Sequence, residues 1–179
     1  MAGKAFVQRV DVAGRVHRAR VPRDLMGQQW MELQQSIFSQ RFFRENLKLG
    51  EGGEEGRDND IARETFERTG ASMMGKRMFD AGEQMWPEEA PFHRPVFVVT
   101  HEKHDPWERP GRSTFHFVND GIEPALDHAH EAAGDRDVRI AGGGAMILEY
   151  VNAGRVALEP VRAEPSPRVT HLTYTVRGR

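Results

Sequence analysis

Between residues 69 and 154, short apolar runs alternate with stretches whose apolar residues recur at helical spacing, and this alternation constrains the fold more than any other feature. "ASMM" (71–74), "PVFVVT" (95–100), "STFHFV" (113–118) and "DVRIA" (137–141) read as strand segments. "PVFVVT" is apolar on both faces, as a strand covered from both sides must be. Between the runs, "KRMFDAGEQMW" (76–86) predicts a short helix that frays toward Pro87. Residues 121–133 predict an amphipathic helix with Ile122, Leu126, Ala129 and Ala133 along its stripe, capped by Asn119 or Asp120 and ended by Gly134. A further helix is expected over 144–153, closed by Gly154. This is the pattern of an α/β protein whose sheet carries helices on both faces.

The flanks read less simply. "AFVQRVDV" partly alternates, and Gly14 can turn it into "RVHRARV" as a hairpin that ends at Pro22. Trp30, Leu33, Ile37, Phe38 and Phe42 predict a helix over about 28–46. "GEGGEEGRDND" (50–60) reads as a surface loop in preference to an acidic metal or substrate site. Asn59 or Asp60 is then expected to cap a short helix over 61–68, with Ile61, Thr65 and Phe66 on its stripe and Gly70 past its end. "VALEPV" and "VTHLTYTV" predict closing strands, with "AEPSP" as the turn between them.

Bulk properties remove several classes of function. A chain of 179 residues suits a single domain, 1–179. No apolar run approaches the roughly 20 residues of a membrane helix, and Met1 does not lead into a signal segment, so neither membrane association nor secretion is expected. The net charge is −2 with both signs interspersed, which argues against a nucleic-acid partner; "RVHRARVPR" reads as a solvated strand. The absence of cysteine excludes disulfides, iron–sulfur ligation and thiol catalysis, and fits a cytoplasmic location. His93, His101 and His104 lack a second pair at metal-ligand spacing, and His128 and His130 point to different helix faces, so no metal site is expected. No Gly-x-Ser-x-Gly elbow is present.

Two strand-to-helix turns carry the functional signal. Gly142, Gly143 and Gly144 stand where a strand gives way to a helix, and Gly75, Lys76 and Arg77 stand at another such junction. The first turn of a helix has backbone N–H groups without intrahelical partners and a partial positive charge, so a glycine-lined approach suits a phosphate. Cations at Lys76 and Arg77 are unfavourable for the helix dipole, a cost that a bound anion offsets, and they make a cradle for a ribose phosphate. Neither turn is a GxGxxG fingerprint or a Gly-Lys-Ser/Thr loop.

In this order, "GASMMGKRMFDAGE", "PVFVVTHE", "FHFVNDGIEPAL" and "GDRDVRIAGGGAMILEYVNAG" resemble the dihydrofolate-reductase-like family. The nearest branch is the reductase domain of the bifunctional riboflavin-biosynthesis deaminase-reductase, together with its stand-alone bacterial relatives. The resemblance covers about 30–179. It implies a three-layer sandwich with a mixed, mostly parallel sheet and helices on both faces. It also implies an NADPH-dependent reductase that transfers a hydride to a small pterin-like or pyrimidine-like substrate. By the same resemblance, Gly75, Lys76, Arg77 and Met78 hold the adenosine side and the 2′-phosphate of NADPH. Thr100 and His101 contact that part of the cofactor, and Gly142, Gly143, Gly144 and Ala145 meet the pyrophosphate. Relatives are often homodimers.

Two departures from the family pattern stand out. Residues 1–29 lack the Ser-Leu-Asp-Gly-Phe-like segment that lines the substrate side in relatives. Gly154 runs directly into the closing strands, so one internal strand is expected to be missing, its place taken by the N-terminal hairpin or by 155–162. No proton donor is identified; Asp11, Glu32 and Glu45 qualify by residue type alone. The alternatives are a nucleotide-binding, catalytically impaired paralogue of the same fold and a non-enzymatic interaction domain.

Overall fold

The four apolar runs of the middle region are strands of one sheet: β2 (Thr69–Gly75), β3 (Pro95–Val99), β5 (Ser113–Val118) and β6 (Asp137–Ile140). The computed structural model describes residues 4–6, 35–141, 156–166 and 170–178. They fall into two units, Met1–Thr65 with Arg155–Arg179, and Phe66–Gly154.

The second unit holds a five-stranded sheet of order β4-β5-β3-β2-β6. Strands β5, β3, β2 and β6 are parallel, and β4 (Trp107–Arg109) runs antiparallel along β5. The order places β2 between β3 and β6, so the chain builds outward through β3 and β5 and returns across β2 to add β6. Two helices of this unit, α3 (Lys76–Glu83) and α4 (Ile122–Ala133), cover opposite faces. Alternation along the strands sorts the side chains: Met73, Phe97 and Val118 pack with α4, while Met74, Val96, Val98 and Phe115 pack with Phe79 of α3. This is a mixed, mostly parallel sheet with helices on both faces, as expected. Among the described residues, β6 has no strand on the side away from β2.

Both helices start where the sequence places them, with one difference in capping. Neither Asn119 nor Asp120 caps α4; Gly121 occupies the N-cap at φ 117° with no side-chain bond. Glycine alone reaches that backbone region without strain, so it ends the approach from β5 and leaves the first amides unclaimed by a side chain. In α3, Gly82 lets Trp86 fold back, since a Cβ there would lie 2.3 Å from the indole.

Arg94, just before β3, stabilises this unit from an unexpected position. Its guanidinium donates to the carbonyls of Phe66, Thr69 and Phe92 and lies 4.1 Å from the Phe66 ring centroid. It thereby satisfies the carbonyls of Phe66 and Thr69, where the helix before β2 ends. Burial, with repulsion from Arg136 and Arg139, pushes its pKa down to about 10.

The first unit contains a three-stranded antiparallel sheet, β1 (Lys4–Phe6), β8 (Thr170–Gly178) and β7 (Val156–Pro165), in that order. The two closing strands are as expected, though β7 continues through "AEP", which the sequence assigns to the turn. Lys4–Phe6 is a strand beside β8; the rest of the expected hairpin lies outside the described residues. Pro160, which has no N–H to donate, sits at a register shift that leaves Val161 exposed.

Two helix expectations in this region are corrected. The helix over 28–46 is interrupted: within the described part, 35–38 are helical, and α1 (Arg41–Asn46) follows a break at Gln40. Gln40 is extended because Arg41 N–H donates to Glu54 O and Glu54 N–H to Ser39 O, a bridge that draws the backbone out of the helix. The helix expected over 61–68 begins four residues earlier, as α2 (Arg57–Arg68). Its extra turn is held by tertiary partners: Asp58 meets His171 Nε2 at 2.5 Å, and Arg57 bonds Glu164, with Glu64 of the same helix adding a local bond. Asn59 is buried, and its Oδ1 accepts the Phe42 N–H at 2.8 Å rather than capping. Gly70 lies just past the helix end, as expected, and is already part of β2.

Candidate functional site

The carboxyl ends of the parallel strands meet along one edge of the five-stranded sheet. Gly75 of β2 is in register with Val99 of β3, and Val99 with Val118 of β5. Thr100 N–H donates to Val118 O at 3.0 Å, and Ala141 N–H, just past β6, donates to Met73 O at 2.7 Å. Ligands of open α/β sheets bind beyond such an edge.

Gly75 is the N-cap of α3, with φ −80° and no side-chain cap. That backbone angle is open to any residue. The property of this glycine is space instead: among the described residues, a Cβ built on it would meet nothing within 4 Å. Among the described residues, nothing stands between a ligand and the first amides of α3 across Gly75.

The two cations that follow differ. Lys76 is partly buried, and its Nζ pairs with Asp80 Oδ1 at 2.6 Å one turn along the helix. Its ammonium also lies 5.8 Å from the Phe79 ring centroid. Its hydrogen bond to the Asp80 carboxylate raises its pKa most, and Glu102 and Glu83 add to the rise. Arg77 is exposed and has no hydrogen bond or ion pair among the described residues. Among the described residues, the unanswered charge at the start of α3 is thus that of Arg77. Met78 is partly buried and packs against the aromatic cluster beneath the helix.

Thr100 and His101 begin the loop that leaves β3. Thr100 is buried, and its Oγ1 accepts the Glu102 N–H at 3.1 Å, a local turn that fixes the loop's exit. His101 is exposed. His104 then folds back, 3.1 Å from Glu102 and with its ring 4.8 Å from that of Phe117. The fold therefore brings Gly75, Lys76, Arg77, Thr100 and His101 to one edge of the sheet. Gly142, Gly143, Gly144 and Ala145 lie outside the described residues; Ala141, which precedes them, leaves the sheet beside β2 at the same edge.

Sequence reasoning missed Asp80, Glu102 and His104 as members of this edge. Asp80 was accessible from its spacing of four from Lys76. The other two depend on the turn at Thr100, for which a Thr two residues before Glu102 is only a weak signal. Among the described residues, no group of three or more His, Asp or Glu could hold a metal ion, and no helix is long and apolar enough to cross a membrane.

No family model and no curated protein matches the chain. Among solved structures, the chain is similar to a "Putative riboflavin biosynthesis protein" from Shewanella sp. PV-4, at 15% identity and a TM-score of 0.50. The match covers 74% of this chain and 87% of that one, and it supports the α/β fold.

Proposed function

We propose that this protein is an NADPH-dependent reductase of a small pterin-like or pyrimidine-like molecule, binding its cofactor at the carboxyl edge of the five-stranded sheet. The observation that carries the reading is the junction of β2 and α3: among the described residues, space over Gly75, first-turn amides without a side-chain cap and the exposed Arg77 beside them. The likeness in fold to a protein named for riboflavin biosynthesis adds support. These residues fit a nucleotide phosphate, since Gly75 admits close approach and Arg77 offers a planar guanidinium for bidentate contact.

In this reading Arg77 holds the 2′-phosphate, and the amides behind Gly75 and Lys76 orient the adenosine side. Thr100 fixes the loop that carries His101 across the edge. The cofactor, when bound, supplies the hydride that adds to a C=N or C=O bond of the substrate. The chain supplies position and electrostatics.

Isothermal titration with NADPH and NADH tests the reading. NADPH is expected to bind more tightly, and Arg77→Ala to lower its affinity about tenfold, the loss of one charge-assisted contact, with NADH unchanged. Equal affinity for the two nucleotides in the parent contradicts the assignment. Binding without oxidation across a panel of pterins and pyrimidines favours the catalytically impaired paralogue.

A further inference from the structure

The charges at the start of α3 are arranged against the helix. A cation in the first turn with its anion four residues later is the less favourable orientation of an i,i+4 pair, and it opposes the macrodipole. Lys76 and Asp80 adopt it nonetheless, at 2.6 Å. Asp80 is half exposed, so the pair does not fill a core requirement. Glu83 from the same helix and Glu102 from the loop after β3 act on the same ammonium. Arg77, the next residue, has no hydrogen bond or ion pair among the described residues.

Resting on the cofactor reading above, we propose that Asp80 is a specificity-determining residue. By holding Lys76 along the helix it withholds one of two adjacent cations from the 2′-phosphate and narrows the preference for NADPH over NADH. A 2′-phosphate that recruits Lys76 must first take it from Asp80, and it meets repulsion from Glu102. NADH, which has a hydroxyl in that place, asks nothing of Lys76. Asp80 therefore acts through Lys76, and its removal favours the phosphorylated nucleotide selectively.

The test is a titration cycle on the full chain, using NADPH and NADH against the parent, Asp80→Asn, Lys76→Met and the double variant, with thermal melts to establish folding. Asp80→Asn is expected to tighten NADPH about two- to fivefold, the range of a partly exposed ion pair. NADH affinity stays unchanged, and the gain disappears in the Lys76→Met background. Unchanged or weaker NADPH binding in a folded Asp80→Asn protein overturns the proposal while leaving the cofactor reading intact. A gain that persists without Lys76 overturns it too, because Asp80 would then act directly on the phosphate. Failure of both nucleotides to bind the parent and Asp80→Asn alike overturns the cofactor reading, and this proposal with it.

Discussion

The two helices that cover the five-stranded sheet are attached in opposite ways. Helix α4 lies close on its face through alanines: Ala125 and Ala129 are fully buried, Ala133 nearly so, against Ala71, Met73 and Phe97. Helix α3 has a single buried residue, Phe79, set among Trp86, Trp107, Phe115 and Phe117 at centroid distances of 5.2–6.0 Å, all edge-on. Small residues distribute the attachment of α4 over three turns, whereas that of α3 is concentrated in the Phe79 ring and its neighbour Met78. The helix at the candidate site is thus the one with the more concentrated anchor. With Met78 and Phe79 turned to the cluster, Arg77 stays exposed at the end that faces a ligand.

Phe79→Ala should break this comparison most severely. It removes a buried ring and four aromatic contacts, for an expected loss of about 3–5 kcal/mol in urea unfolding. A loss below about 1 kcal/mol would mean that α3 is held elsewhere. On the other face the vulnerable change is an increase in size. Ala129→Leu should cost about 1–3 kcal/mol by overpacking, since that helix has no room to retreat.

The smallest effect concerns pH on the α4 face. His116 stacks on Phe97 at 5.1 Å, and burial, with His128 nearby, lowers its pKa below the ordinary 6.5. The unfolded chain then takes up the proton more readily than the folded one. The contribution of neutral His116 is complete above pH 6.5 and is lost as pH falls through the lower folded value. His116→Gln should flatten stability across that interval; an unchanged profile would show that other groups set the acid limit.

How much of this was legible in the sequence depended on where each element gets its support. Strands β2, β3, β5 and β6 and helices α3 and α4 announced themselves because they bury apolar residues at their own period. The early turn of α2 carries Arg57, Asp58 and Asn59, with no apolar stripe, and exists through distant partners such as His171 and Phe42. Strand β4 lies between Pro106 and Pro110 and is too short to show a period of its own, although Trp107 packs on the aromatic cluster. The break at Gln40 follows from a bridge to Glu54, fourteen positions on, which no local pattern encodes. At the candidate site, Gly75 before two cations was readable as an anion-facing junction. That Lys76 is engaged and Arg77 is not became apparent only from the side-chain geometry.

Amide hydrogen exchange with and without NADPH tests the central claim most directly. The account predicts slowed exchange on NADPH addition in two peptides, one spanning 75–78 and one spanning 100–104, with the first effect weaker for Arg77→Ala. Protection confined to other parts of the chain, or no change in either peptide at nucleotide concentrations that saturate binding, would contradict it.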